Sequence, residues 1–128
     1  MVAAARERVP NARFEQMDIC DFTPPQGSYD AASAYFSLLA GVSQDGIRRH
    51  LAKIHHFLRP GGFFVFATVP GNAENVQMKW MGRQVTVSSL DVDEAVLAVE
   101  GVGFEIINIS VSNFVPKAEE AGIYHYMY

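Results

Sequence analysis

One cysteine, Cys20, occurs in 128 residues, so the chain can form neither an intrachain disulfide nor a cysteine-based zinc site. Positive charge is also scarce. Ten Lys and Arg stand against fourteen Asp and Glu, a net charge of -4, whereas a surface that tracks phosphates needs clustered cations. Nucleic acid is therefore not an expected partner. No apolar run approaches the roughly 20 residues that span a bilayer, and the start has no charged-then-apolar signal. These absences point to a cytoplasmic, reducing setting without a membrane partner. Repeats, low-complexity tracts and charge runs are missing as well. What is present is an ordinary globular composition, 49% apolar and 19% charged, at a length that suits a single domain over residues 1–128.

The most structured stretch is Ser43 to Pro70. Ile47, Leu51, Ile54 and Leu58 recur at steps of four, three and four and form one apolar helical stripe. Ser43 or Asp45 can cap the first turn. Pro60 cannot continue a helix, and Gly61 and Gly62 tolerate positive φ, so the helix is expected to end near Arg59. Phe63 to Val69 is an unbroken apolar run, which predicts a parallel strand buried on both faces. A helix feeding such a strand is half of a βαβ unit.

On either side the pattern predicts further elements. Val2 to Val9 reads as a helix without a capping residue, and Ala12 to Met17 as a short strand with Asp18 at its end. Asp21 to Ser28 is a loop carrying two prolines and a glycine, and Tyr29 to Phe36 a second strand. Gly71 to Lys79 is polar and is expected to be a loop or short helix, followed by a short strand over Gln84 to Val87. Asp91 and Glu94 stand at capping-box spacing before a helix that buries Val92, Ala95, Val96, Val99 and Val102. Phe104 to Phe114 is rich in β-branched residues and reads as a strand, Lys117 to Gly122 as a turn, and Ile123 to Tyr128 as a last strand. The final two would pair as an antiparallel hairpin.

Several short motifs in this order resemble the class I S-adenosylmethionine-dependent methyltransferases. Leu58-Arg59-Pro60-Gly61-Gly62 is similar to the turn that enters the family's fifth strand. Ala5-Arg6-Glu7-Arg8 resembles the helix after its second strand, and Phe14-Glu15-Gln16-Met17-Asp18-Ile19 its third-strand segment. Tyr29 to Leu39 resembles its fourth strand, and Gly103-Phe104 the lead into its sixth. The resemblance implies an α/β, Rossmann-like methyltransferase sheet with a terminal antiparallel hairpin. It also implies that the first two strands are lacking, because neither the glycine-rich loop nor the acidic residue that holds the ribose precedes Met1. A strand edge and one face of the Phe63 to Val69 strand would then be uncovered. Either the Ala12 to Met17 strand pairs directly with Tyr29 to Phe36, or a second copy of the chain covers the gap.

By the same resemblance the cofactor is S-adenosylmethionine, with S-adenosylhomocysteine as product, and the acceptor is a small molecule. Asp18 would accept from the adenine amino group, Ile19 would pack on the ring, and Ala34 and Tyr35 would lie beside the transferred methyl group. Each has a plainer reading: Asp18 as a loop cap, Tyr35 as packing at the rim. Trp80 and Met81 could line a substrate pocket or simply anchor their loop. His50, His55 and His56 are expected on the helix surface, His125 could face the substrate side, and Asp30 is expected to be structural. No histidine has a carboxylate at metal-binding spacing. No general base stands out, and none is needed unless the acceptor must lose a proton. The competing reading is a catalytically inactive binding or scaffold module that self-associates.

Overall fold

The computed structural model describes residues 1–80, 82–114 and 124–127. Its centre is the βαβ unit. Strand β1 (Tyr29–Tyr35) runs parallel to β2 (Leu58–Ala67), with Ala31 opposite Phe63, Ser33 opposite Val65 and Tyr35 opposite Ala67. Helix α2 (Gln44–Phe57) connects them. Ser43 caps α2 as expected, its Oγ accepting from the Gly46 N–H at 3.0 Å. The helix stops at Phe57, two residues before Arg59, because a residue preceding proline is driven out of the helical region. Leu58 accordingly opens β2 in an extended conformation.

Both glycines of the turn have reasons to be there. Gly61 sits at φ +73°, and a Cβ at Gly62 would lie 2.9 Å from the carbonyl oxygens of Arg59 and Asp30. Arg59 Nε also bonds Asp30 Oδ1 at 2.5 Å, an exposed ion pair between the turn and β1.

Helix α1 (Val2–Arg8) precedes this unit and buries no residue. Arg6 reaches the Phe14 carbonyl at 2.7 Å. The strand expected over Ala12 to Met17 does not form: the segment has no ladder partner among the described residues, and only Phe14 on it is half-buried. A strand needs a neighbour for its backbone and a face to bury, and here it has neither.

The polar stretch after Pro70 also differs from expectation. It forms β3 (Ala73–Trp80), antiparallel to β4 (Arg83–Ser89). Gly82, at φ +78°, lies in the turn between them. The Gln44 side chain joins this hairpin to the start of α2, donating to Asn72 Oδ1, the Ala73 carbonyl and the Ser89 carbonyl at 3.0–3.3 Å.

Helix α3 (Val92–Gly101) begins at Asp91, whose Oδ1 accepts from the Glu94 N–H at 2.9 Å. Glu94 does not complete a capping box; its carboxylate pairs with Arg48 and ties α3 to α2. Ala95 and Ala98 are its buried residues, with Val92, Val99 and Val102 half-buried beside them. The β-branched run after Gly103 is strand only at its end, as β5 (Val111–Phe114), antiparallel to β6 (Tyr124–Met127). The terminal hairpin is therefore present, but residues 104–110 make no ladder with any of the described residues. The turn expected over Lys117 to Gly122 lies outside the described residues.

The core gathers Ala34, Leu38, Ile47, Leu51, Ile54, Phe57, Leu58, Leu90, Ala95 and Ala98. Phe64 and Phe66 pack against it from β2, while Phe63 and Val65 point the other way and are 63% and 44% exposed. The expectation that β2 is buried on both faces is thus corrected: among the described residues the helices cover one face only.

Candidate functional site

The loop after residue 17 folds on itself at Asp18. The Asp18 carbonyl accepts from the Asp21 N–H at 3.0 Å, and its Oδ1 accepts from the Cys20 N–H at 2.7 Å. This is the loop-capping role. Lys53 on α2 fastens the turn from outside, its Nζ donating to the Cys20 carbonyl at 2.6 Å. The Cys20 thiol lies 3.6 Å from Nε2 of His50.

Beside the turn is an open cavity of about 570 Å³. Met17, Ile19, Phe22 and Tyr29 give it apolar and aromatic walls, Asp18 a carboxylate, and the Arg13–Glu15 ion pair a polar rim. The rings of Phe22 and Tyr29 pack at 5.9 Å, and both meet Phe57 at the end of α2. Such a space suits a flat aromatic group with an exocyclic amine: a ring against aromatic and aliphatic side chains, an N–H donated to the carboxylate.

The Cys20 N–H, then the Cys20 thiol, hold the Asp18 carboxyl below its usual value, assisted by the nearby His50 and Lys53. The neighbouring Asp18 carboxylate, followed by desolvation, pushes the Cys20 thiol up. His50 is buried, 7% exposed, and burial lowers its pKa against the opposing pull of Asp18.

Of the four residues singled out for the cofactor, Asp18 and Ile19 line this cavity together. Ala34 and Tyr35 do not. Ala34 is buried in the core on the helix side of β1, and Tyr35 is 60% exposed on the opposite face. Tyr29, which does line the cavity, lies six residues before Tyr35 along β1, about 20 Å at the usual strand rise. Trp80 is half exposed on β3, Met81 lies outside the described residues, and of the His125 side chain nothing is described.

Sequence reasoning passed over Cys20 and misplaced His50. The signal for His50 was available: it follows Ile47 by three and precedes Ile54 by four, so it shares their stripe. His55 and His56 are exposed as expected, although His55 packs edge-on against Phe104 at 4.9 Å.

A second, larger cavity of about 1090 Å³ lies between β2, α3 and residues 103–109, and contains none of the candidate residues. Among the described residues no group of three His, Cys, Asp or Glu converges to hold a metal ion, and no helix is long and apolar enough to cross a membrane.

The arrangement of elements has close counterparts. The crystal structure of an S-adenosylmethionine-dependent methyltransferase from Methanosarcina mazei superposes with a TM-score of 0.69 at 13% identity, over 87% of this chain and 63% of that one. This is the class I methyltransferase fold. Residues 1–62 independently match the model of the methyltransferase domain family. The 1,6-didemethyltoxoflavin-N1-methyltransferase of Burkholderia thailandensis, crystallised with 1,6-didemethyltoxoflavin and S-adenosylhomocysteine, gives a TM-score of 0.68 at 18% identity over 98% of this chain and 53% of its own. The cyclase SpnF gives 0.64 at 23% identity, over 86% of this chain and 40% of its own. The chain thus spans less than two thirds of each of these three proteins, and one of them is named for a reaction other than methyl transfer. No curated protein matches the sequence.

Proposed function

We propose that this chain carries part of the cofactor site of an S-adenosylmethionine-dependent methyltransferase acting on a small molecule. The observation that carries the reading is a coincidence on one stretch: residues 1–62 match the methyltransferase domain family, and they contain the Asp18 and Ile19 cavity. The cavity's chemistry fits the adenine end of the cofactor. Asp18 would accept from the amino group, Ile19 and Phe22 would pack on the ring, and Tyr35 would stand at the far end of β1 near the acceptor. The cofactor supplies a methyl group on a sulfonium, which is electrophilic without further activation, so the protein's share is to hold donor and acceptor in line. A cytoplasmic setting goes with this reading.

The exposed Phe63 and Val65, on a face of β2 that no helix covers among the described residues, support a second element of the proposal, that copies of the chain associate through them. Titration of the purified chain with S-adenosylhomocysteine by calorimetry tests the cofactor reading. Saturable binding that weakens at least tenfold in Asp18→Ala is the expected result. Absence of binding would overturn it in favour of an inactive module with the same fold.

A further inference from the structure

Deepening that cofactor reading, on which it rests, we propose that the ring of Phe36, held in a strained turn at the carboxyl ends of β1 and β2, packs against the cofactor beyond its adenosine part. The backbone there is anomalous. Phe36 has φ +51°, in the left-handed region that glycine, asparagine and aspartate usually occupy and where a bulky side chain is an outlier.

The conformation is imposed from both sides. Before it, β1 ends at Tyr35, and the Phe36 N–H donates to the carbonyl of Ala67, the last residue of β2, at 2.8 Å. After it, Leu38 is buried in the core, the Leu39 carbonyl accepts from the Ser88 N–H, and the Gly41 N–H donates to the Thr86 carbonyl, both at 2.9 Å. The chain thus leaves β1, turns at Phe36 and is pinned to β4 soon afterwards. A glycine would make this turn without the steric cost, as Gly41 does at φ +72°. Residue 36 carries a phenyl ring instead and remains 40% exposed. The turn does not call for a ring, and burial repays only part of its cost. Strain of this kind gathers at ligand sites.

The place of Phe36 gives the ring a use. In open α/β sheets ligands lie outside the carboxyl ends of the parallel strands. β1 and β2 are parallel, with Tyr35 opposite Ala67, and Phe36 follows that pair directly. On the cofactor reading the adenine lies in the Asp18 cavity. The part left for the carboxyl ends is then a sulfur with a short amino-acid chain, and an aromatic ring offers such a sulfur favourable contact.

The test measures unfolding midpoints, and the affinities of S-adenosylhomocysteine and adenosine, in the wild type, Phe36→Tyr, Phe36→Ala and Phe36→Gly. Glycine in a regular element is less stable than alanine. Here Phe36→Gly should melt roughly 3 °C above Phe36→Ala, and no lower than the wild type. Alanine and glycine should both bind S-adenosylhomocysteine about tenfold more weakly than the wild type, and tyrosine, which keeps the ring, within about twofold. Adenosine should bind all four alike. Equal S-adenosylhomocysteine affinity in the wild type and both truncations would overturn the contact while leaving the cofactor reading intact. Adenosine binding that weakens in step would overturn the placement of the ring beyond the adenosine. A wild type that melts well above Phe36→Gly, or a glycine variant below the alanine one, would overturn the strain, since packing would then account for the ring. No binding of S-adenosylhomocysteine by the wild type would overturn the cofactor reading, and the Phe36 contact with it.

Discussion

The two faces of the β1 and β2 pair are built from the same kinds of residue and meet opposite fates. On one, Ala32, Ala34, Phe64 and Phe66 pack under α2 and α3. On the other, Phe63, Val65 and Tyr35 are 44–63% exposed. Strand sequence does not account for the difference, since phenylalanines at 63 and 64 are neighbours in the same strand. What decides is the presence of an amphipathic helix with a matching stripe. One face has two such helices, and the other has none among the described residues. A sheet face is finished only by what packs on it, so the open face indicates where further structure or a partner belongs.

The sharpest way to break the comparison is to damage the covered face. Leu51 is fully buried between the strands and α3. Leu51→Ala should lose about 3 kcal/mol or more of stability, the usual cost of a cavity in a packed core. Thermal or urea unfolding measures it directly. A loss below 1 kcal/mol would mean that the covered face is no better packed than the open one.

A smaller effect is expected at the cap of α3, which closes the same face. Asp91→Ala removes the acceptor for the Glu94 N–H and should cost about 1 kcal/mol, the typical value of an N-cap. Asp91→Asn keeps an acceptor there and should restore most of it in the same unfolding measurement.

The contrast in burial also governs how well each region could be read from sequence. The stripe Ile47, Leu51, Ile54 and the cap at Ser43 were legible because helix periodicity, capping and a proline stop act within a few residues. β3 was not, because its residues are mostly exposed and its stability comes from β4 and from the Gln44 bridge, which no local pattern encodes. Residues 104–110 failed in the opposite sense: their β-branched side chains favour a strand, yet a ladder needs a partner, and none of the described residues pairs with them. At the site, Asp18 was legible both as a cap and as an acceptor, and the structure shows the cap. His50 was missed because charge type was allowed to outweigh its place in the stripe.

His50 gives the covered face a pH dependence that the open face has no means to share. Its pKa is lowered in the folded chain, chiefly by burial. The unfolded state therefore takes up a proton first as pH falls below about 6.5. Stability should be full above that value and decline as pH drops through the folded pKa. His50→Gln should flatten this part of a pH series of unfolding midpoints; a series that keeps its slope in the variant would overturn the assignment to His50.

The smallest effect on stability, and the most telling about the open face, is expected from replacing Phe63 and Val65 together by serine. Neither side chain is buried, so at a dilution where the chain is monomeric the unfolding midpoint should move by no more than the roughly 0.5 kcal/mol usual for surface positions. Self-association answers to a different quantity. If copies of the chain meet through this face, the pair of serines removes apolar area that only the association buries. Sedimentation at rising concentration should then show the wild type as an oligomer and the variant as a monomer, with their melting curves diverging only at high concentration. A wild type that stays monomeric throughout would instead mean that the face is covered by a different molecule or stays open. The two faces would then differ in kind, one a core and the other a surface.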